Sequence, residues 1–155
     1  MLYVSDTRAD TEALNSAADR GSIRRVAHGI YTDAFDRPLD VIVAENLLAI
    51  IGRVYPGWYV SHSTAATLRP VDGVAFISGR GGRTPIKLPG VLIKRLPALA
   101  HPETLKLELD TFVAPRLRSE PARASVQLSA PLQTVLEVLS HDARQPQRSL
   151  PDEAV

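Results

Sequence analysis

The sequence predicts an α+β protein, with an N-terminal helix and β-hairpin followed by a small mixed domain that has an antiparallel sheet and a C-terminal helix. Three observations predict it. Apolar residues recur at helical spacing around 9–18, 39–51 and 132–139. Short β-like runs separated by glycine and proline fill the stretch 74–128. The gaps between those runs are too short for the crossovers that parallel strands need, so the strands should pair antiparallel.

In chain order, Asp6 is a candidate cap for a helix over 7–20, whose apolar face is Ala9, Ala13, Leu14, Ala17 and Ala18 and whose stop is Gly21. The period then changes. Ile23 and Val26, and, after a His28-Gly29 turn, Ile30 and Tyr31, read as two short strands, with Gly29 supplying a positive φ. A second helix follows, with Asp36 as candidate cap and Pro38 in its first turn. Leu39, Ile42, Val43, Asn46, Leu47, Ile50 and Ile51 keep helical spacing until Gly52. Tyr59-Val60 reads as a strand, and Ser61 caps a helical turn or two that ends before Pro70. Strands are expected at 74–78, 84–88, 91–96, 105–109 and 125–128. A last helix over 131–141, capped by Ser129, carries Leu132, Val135, Leu136 and Leu139 on one face. Residues 142–155 read as a polar tail or linker, so the expected divisions are 1–37, 38–141 and 142–155.

Composition sets the class. A chain of 155 residues, 45 % hydrophobic and 23 % charged, has the length and balance of one globular domain. It has no cysteine, which excludes disulfides and thiolate chemistry. No apolar run approaches the roughly 18 residues of a membrane span, and the start Met1-Leu2-Tyr3-Val4-Ser5-Asp6 lacks the basic region of a signal peptide, so a cytoplasmic location is expected. Charge is unevenly spread: five basic against eight acidic residues over 1–51, ten against four over 52–118, and three against five over 119–155. The basic middle is an electrostatic reason to expect phosphate contacts.

Catalytic and metal patterns are missing. No zincin, phosphate-loop or nucleophile-elbow motif occurs. His28, His62, His101 and His141 fall in four different elements without ligand spacing, so no metal or cofactor is expected. Ser61 and His62 are adjacent but point about 100° apart on a helix, with no carboxylate nearby in sequence to orient the imidazole. They read as a hydroxyl cap, and no stand-alone enzyme is expected. Gly79-Arg80-Gly81-Gly82-Arg83 lies between strands and reads as a flexible basic loop, not as the opening of a phosphate-binding helix.

Gly21-Ser22-Ile23-Arg24-Arg25-Val26-Ala27-His28-Gly29-Ile30-Tyr31 fits the pattern G-x-x-x-R-x-x-x-G-x-Y, and a helix later comes Val60-Ser61-His62-Ser63-Thr64-Ala65. Together, in this order and at this spacing, the two segments resemble AbiEi-type antitoxins and related transcriptional regulators, over about residues 12–100. The resemblance implies a winged helix-turn-helix start, an α/β domain after it, binding to operator DNA and opposition to a toxin. Similar segments also stand ahead of Fic domains, whose H-P-F-x-[DE]-G-N-G-R motif is absent here. Only one helix fits before Gly21, where a complete winged helix has two ahead of the one that reads the groove, and that helix is acidic, with Asp6, Asp10, Glu12 and Asp19 against Arg8 and Arg20. The start is therefore a truncated, winged-helix-like helix and wing. Arg24, Arg25 and His28 on the wing, and Arg80, Arg83, Lys87, Lys94 and Arg95 in the basic middle, are the expected nucleic-acid contacts. The implied partners are DNA and a cognate toxin or fused enzyme domain. The alternative is a regulatory or protein-interaction module that does not bind DNA.

Overall fold

The computed structural model describes residues 1–5, 7–113 and 121–144. In chain order they form β1 (Leu2–Val4), α1 (Arg8–Asp19), β2 (Arg24–Ala27), β3 (Ile30–Thr32), α2 (Leu39–Glu45), α3 (Leu47–Val54), β4 (Tyr59–Val60), α4 (His62–Thr67), β5 (Val74–Gly79), β6 (Ile86–Leu88), β7 (Val91–Pro97), β8 (Thr104–Val113), β9 (Pro121–Ser129) and α5 (Pro131–Arg144). The strands join in one sheet of order β2-β3-β1-β8-β9-β4-β5-β7-β6. The architecture is mixed α+β and ends on a helix, as the sequence predicts.

The sheet is mixed, which corrects the antiparallel expectation. β1 and β8, β4 and β9, and β5 and β7 pair parallel. Short gaps dictate antiparallel pairing only where strands adjacent in sequence are also adjacent in the sheet. Between β5 and β7 the chain instead lays β6 against the far edge of β7, and that excursion is long enough to bring β7 back parallel to β5. β1 is absent from the expected strands, because three residues carry too little periodicity to read. Pairing with β3 on one side and β8 on the other makes it an interior strand, so the sheet and the core pass through both of the segments divided at residue 37.

Local sequence explains the helix ends. Thr7 caps α1: its Oγ1 accepts the Asp10 N–H at 3.1 Å, and the Asp10 carboxylate accepts the Thr7 N–H at 3.2 Å. Asp6, the expected cap, lies outside the described residues. The long second helix is two helices broken at Asn46, whose side-chain amide donates to the Ile42 carbonyl at 2.8 Å and competes with the backbone ladder. Pro38 stands at the cap position of α2 itself, with no side-chain cap from Asp36 or any other residue. The hairpin β2–β3 forms as expected around Gly29 at φ +70°, with a bulge between Arg25 and Ala27. At the C-terminus α5 takes in 142–144, and the rest of the expected tail, 145–155, lies outside the described residues.

The core is one cluster. Ile42, Val43, Leu47, Ile50 and Ile51 of α2 and α3 are buried with Val4, Ile30, Val60, Ala75, Ile77, Ile93 and Val126 of the sheet. α3 lies so close to β9 that a Cβ on Gly52 would stand 2.5 Å from the Ser125 carbonyl oxygen. Gly52→Ala should therefore force α3 off the sheet and cost about 2–3 kcal/mol, read as a lower midpoint in denaturant unfolding.

Candidate functional site

The β2–β3 register puts consecutive arginines on opposite faces, Arg24 beside Thr32 and Arg25 beside Tyr31. Arg24 faces the protein. Its Nε and Nη2 donate to the Ala34 carbonyl at 3.0 and 2.6 Å, Nη2 also reaches the Arg37 carbonyl, and the guanidinium stacks over Phe35 at 5.5 Å. Expected at a phosphate, it instead clips the 34–37 segment to the hairpin. Arg25 is exposed: its Nε donates to the Ala27 carbonyl at 3.3 Å, and its Nη2 lies 3.3 Å from His28 Nδ1.

Arg25 and His28 border a cleft of about 560 Å³ together with Arg53, Asn15, Thr11 and Tyr31. Arg53 comes from the last turn of α3 and donates to the Ser5 carbonyl at 2.8 Å, while the Tyr31 hydroxyl donates to Asn15 Oδ1 at 3.0 Å. No carboxylate is among the described residues that line this cleft. Sequence reasoning missed Arg53, which is 25 residues from His28 and reads in isolation only as a cation at a helix C-terminus.

The remaining basic residues are elsewhere. Arg80 and Arg83 are exposed in the loop after β5. Lys87 and Lys94 are exposed and share one face of the β6–β7 hairpin, by the pairing of Lys87 with Leu92. Arg95 is on the other face, where its Nε donates to the Thr84 carbonyl at 2.7 Å and its guanidinium stacks over Trp58 at 5.4 Å. The strands β2 and β6 are the two edges of the sheet. Eight inter-strand steps of about 4.8 Å separate them by on the order of 38 Å. The eight residues expected to share one footprint are thus divided between opposite edges and two faces.

A second constellation surrounds the Ser61-His62 pair. Ser61 stands at the cap position of α4 but makes no side-chain cap bond; its hydroxyl, fully buried, meets Ser78 Oγ at 2.6 Å and His62 Nδ1 at 2.9 Å. His62 sits at φ +56°, in the left-handed region that few non-glycine residues adopt. A carboxylate reaches the backbone of the pair from α5: Glu137, 5 % exposed, accepts the His62 backbone N–H at 3.5 Å. His62, Phe76 and His141 form a three-ring cluster with centroids 5.3–5.6 Å apart, beside a cavity of about 310 Å³. Ser61 has no exposed surface, its hydroxyl is within hydrogen-bond reach of the imidazole, and the group joins α4 to α5. Among the described residues no three His, Cys, Asp or Glu side chains stand together as a metal site.

Burial pushes the nearby Tyr59 phenol above the ordinary tyrosine value, opposed by the Leu99 N–H, reinforced by the Glu137 carboxylate and opposed again by Ser78. Among the described residues no helix is long and apolar enough to cross a membrane. Comparison with protein-family models, with curated proteins and with solved structures finds no match to this chain.

Two predictions separate these groups by role. Arg24→Ala should cost about 1–2 kcal/mol in chemical denaturation by freeing the 34–37 carbonyls, whereas Arg25→Ala should stay within about 0.5 kcal/mol. A phenol whose folded-state pKa is raised contributes stability that is complete below its unfolded value of about 10 and lost as the pH climbs through the folded value. Stability measured above that pH should therefore fall more steeply for the native chain than for Tyr59→Phe.

Proposed function

We propose that this chain is an antitoxin-like transcriptional regulator of the cytoplasm that contacts duplex DNA through the wing-side cleft and opposes a toxin. The observation that carries the proposal is the meeting of Arg25, His28 and Arg53 in one cleft. Guanidinium, imidazole, hydroxyl and amide groups are the donors that phosphate oxygens take. The unit α1-β2-β3 is here a remnant winged helix that presents its hairpin to the backbone. The exposed carboxylates of Glu12 and Asp19 make α1 a poor reading head, so the contact is to phosphates more than to base edges.

A protein-interaction module without DNA binding is the second reading, favoured by the outward apolar face of α5. Fluorescence anisotropy with labelled duplex, repeated over a salt series, decides between them. The DNA reading expects affinity that falls as salt rises, and uniformly weaker binding with a slope shallower by about one for Arg25→Ala. His28→Ala should weaken binding less, and Lys87→Ala/Lys94→Ala on the far edge should leave it unchanged. Absence of binding at low salt, or affinity indifferent to salt, overturns the DNA reading.

A further inference from the structure

The helical period of α5 puts Leu132, Val135, Leu136 and Leu139 on one face, at i, i+3, i+4 and i+7. That face points away from the protein: the four side chains are 71, 54, 56 and 62 % exposed. The buried face is polar. Gln133 Nε2 donates to Ser129 Oγ at 3.2 Å, and Gln133 Oε1 accepts the Glu103 N–H. Thr134 Oγ1 donates to the Ser129 and Ala130 carbonyls at 3.1 Å each. With Glu137 on the His62 N–H, these bonds fix the rotation of the helix about its axis. Leu99, 48 % exposed, borders the same cavity as Leu136 and extends the apolar surface beyond the helix.

Single exposed leucines are ordinary on a protein surface, but four in one ridge with a fifth beside them are not. We propose that this face is the interface between two copies of the chain, with α5 packed antiparallel on α5 about a two-fold axis. A two-fold contact must be complementary to itself, and a ridge at this spacing fits the groove beside its own copy. Between Pro131 and Ser140 the only charged residue is Glu137, which is buried, so the axis brings no like charges together. The ridge offers roughly 400 Å² per copy, the size of the largest apolar patches on monomers. Doubled across the axis and widened by Leu99, it reaches the order of 1,000 Å² that a specific interface needs.

The assembly is independent of the DNA reading, and its test involves no DNA. Sedimentation and light scattering of the full chain over a concentration series should give twice the chain mass, falling to the single mass on dilution. Leu136→Lys should give the single mass at every concentration and melt where the diluted, single native chain melts, because the site is exposed in the single chain. Leu139→Lys alone should do the same. In the antiparallel pair residue 132 faces residue 139 of the other copy, so Leu132→Glu/Leu139→Lys should restore the doubled mass. A native chain that stays single throughout overturns the proposal, as does a doubled mass that Leu136→Lys leaves intact. A single chain that takes up a different protein through this ridge also overturns it, in favour of a heterologous partner.

Discussion

The burial of Ile42, Val43, Leu47, Ile50 and Ile51 against one face of the sheet is the constraint on which the rest depends. Each such side chain contributes about 1.5–3 kcal/mol when removed from water, and the five together outweigh any polar contact in the molecule. Their partners come from both ends of the chain: Val4 and Ile30 from the first 32 residues, Ile77 and Ile93 from the middle, Val126 from β9. One apolar layer therefore holds the N-terminal hairpin and the later strands in a single sheet. It also sets the distance between the two basic edges, because the sheet that the helices cover is nine strands wide.

The edges consequently act as separate surfaces. At one, the hairpin turns Arg25 outward and keeps Arg24 for the protein, an outcome of the two-residue period of a strand. α3, pinned to β9 by the close approach at Gly52, delivers Arg53 to the same place. At the other, Lys87 and Lys94 share a face while Arg95 bonds a loop carbonyl and stacks on Trp58. Net charge by segment marks a basic middle but not that its residues point in different directions.

Elements with several periods were legible in the sequence, and those fixed by contacts were not. The hairpin at Gly29, α1, β5, β7 and the existence of α5 follow from spacing and turn residues. β1 escaped because three residues lack a period, and the break at Asn46 because it depends on one side chain bonding the backbone. The parallel pairings escaped because sheet order is a tertiary choice, decided here by the placement of β6 at the edge. Of the candidate site, Arg25 and His28 were readable from the wing pattern. Arg53 and Glu137 were not, since they reach their neighbours across 25 and 75 residues of chain.

α5 shows where periodicity stops being informative. Helical spacing fixes which residues share a face, and the surface beneath the helix decides which face turns inward. Beneath α5 that surface includes the Ser129 hydroxyl and carbonyl, the Glu103 N–H and the His62 N–H. Turning the leucines onto it would strand those buried donors and acceptors, at about 1–3 kcal/mol each. Turning Gln133, Thr134 and Glu137 onto it satisfies them and leaves four apolar side chains in water, each forgoing a burial free energy of similar size. The two orientations are close in free energy for an isolated chain, and the hydrogen bonds decide. The forgone burial remains as a driving force for association at the outer face, so the polar floor that orients α5 also creates the surface through which the protein can assemble.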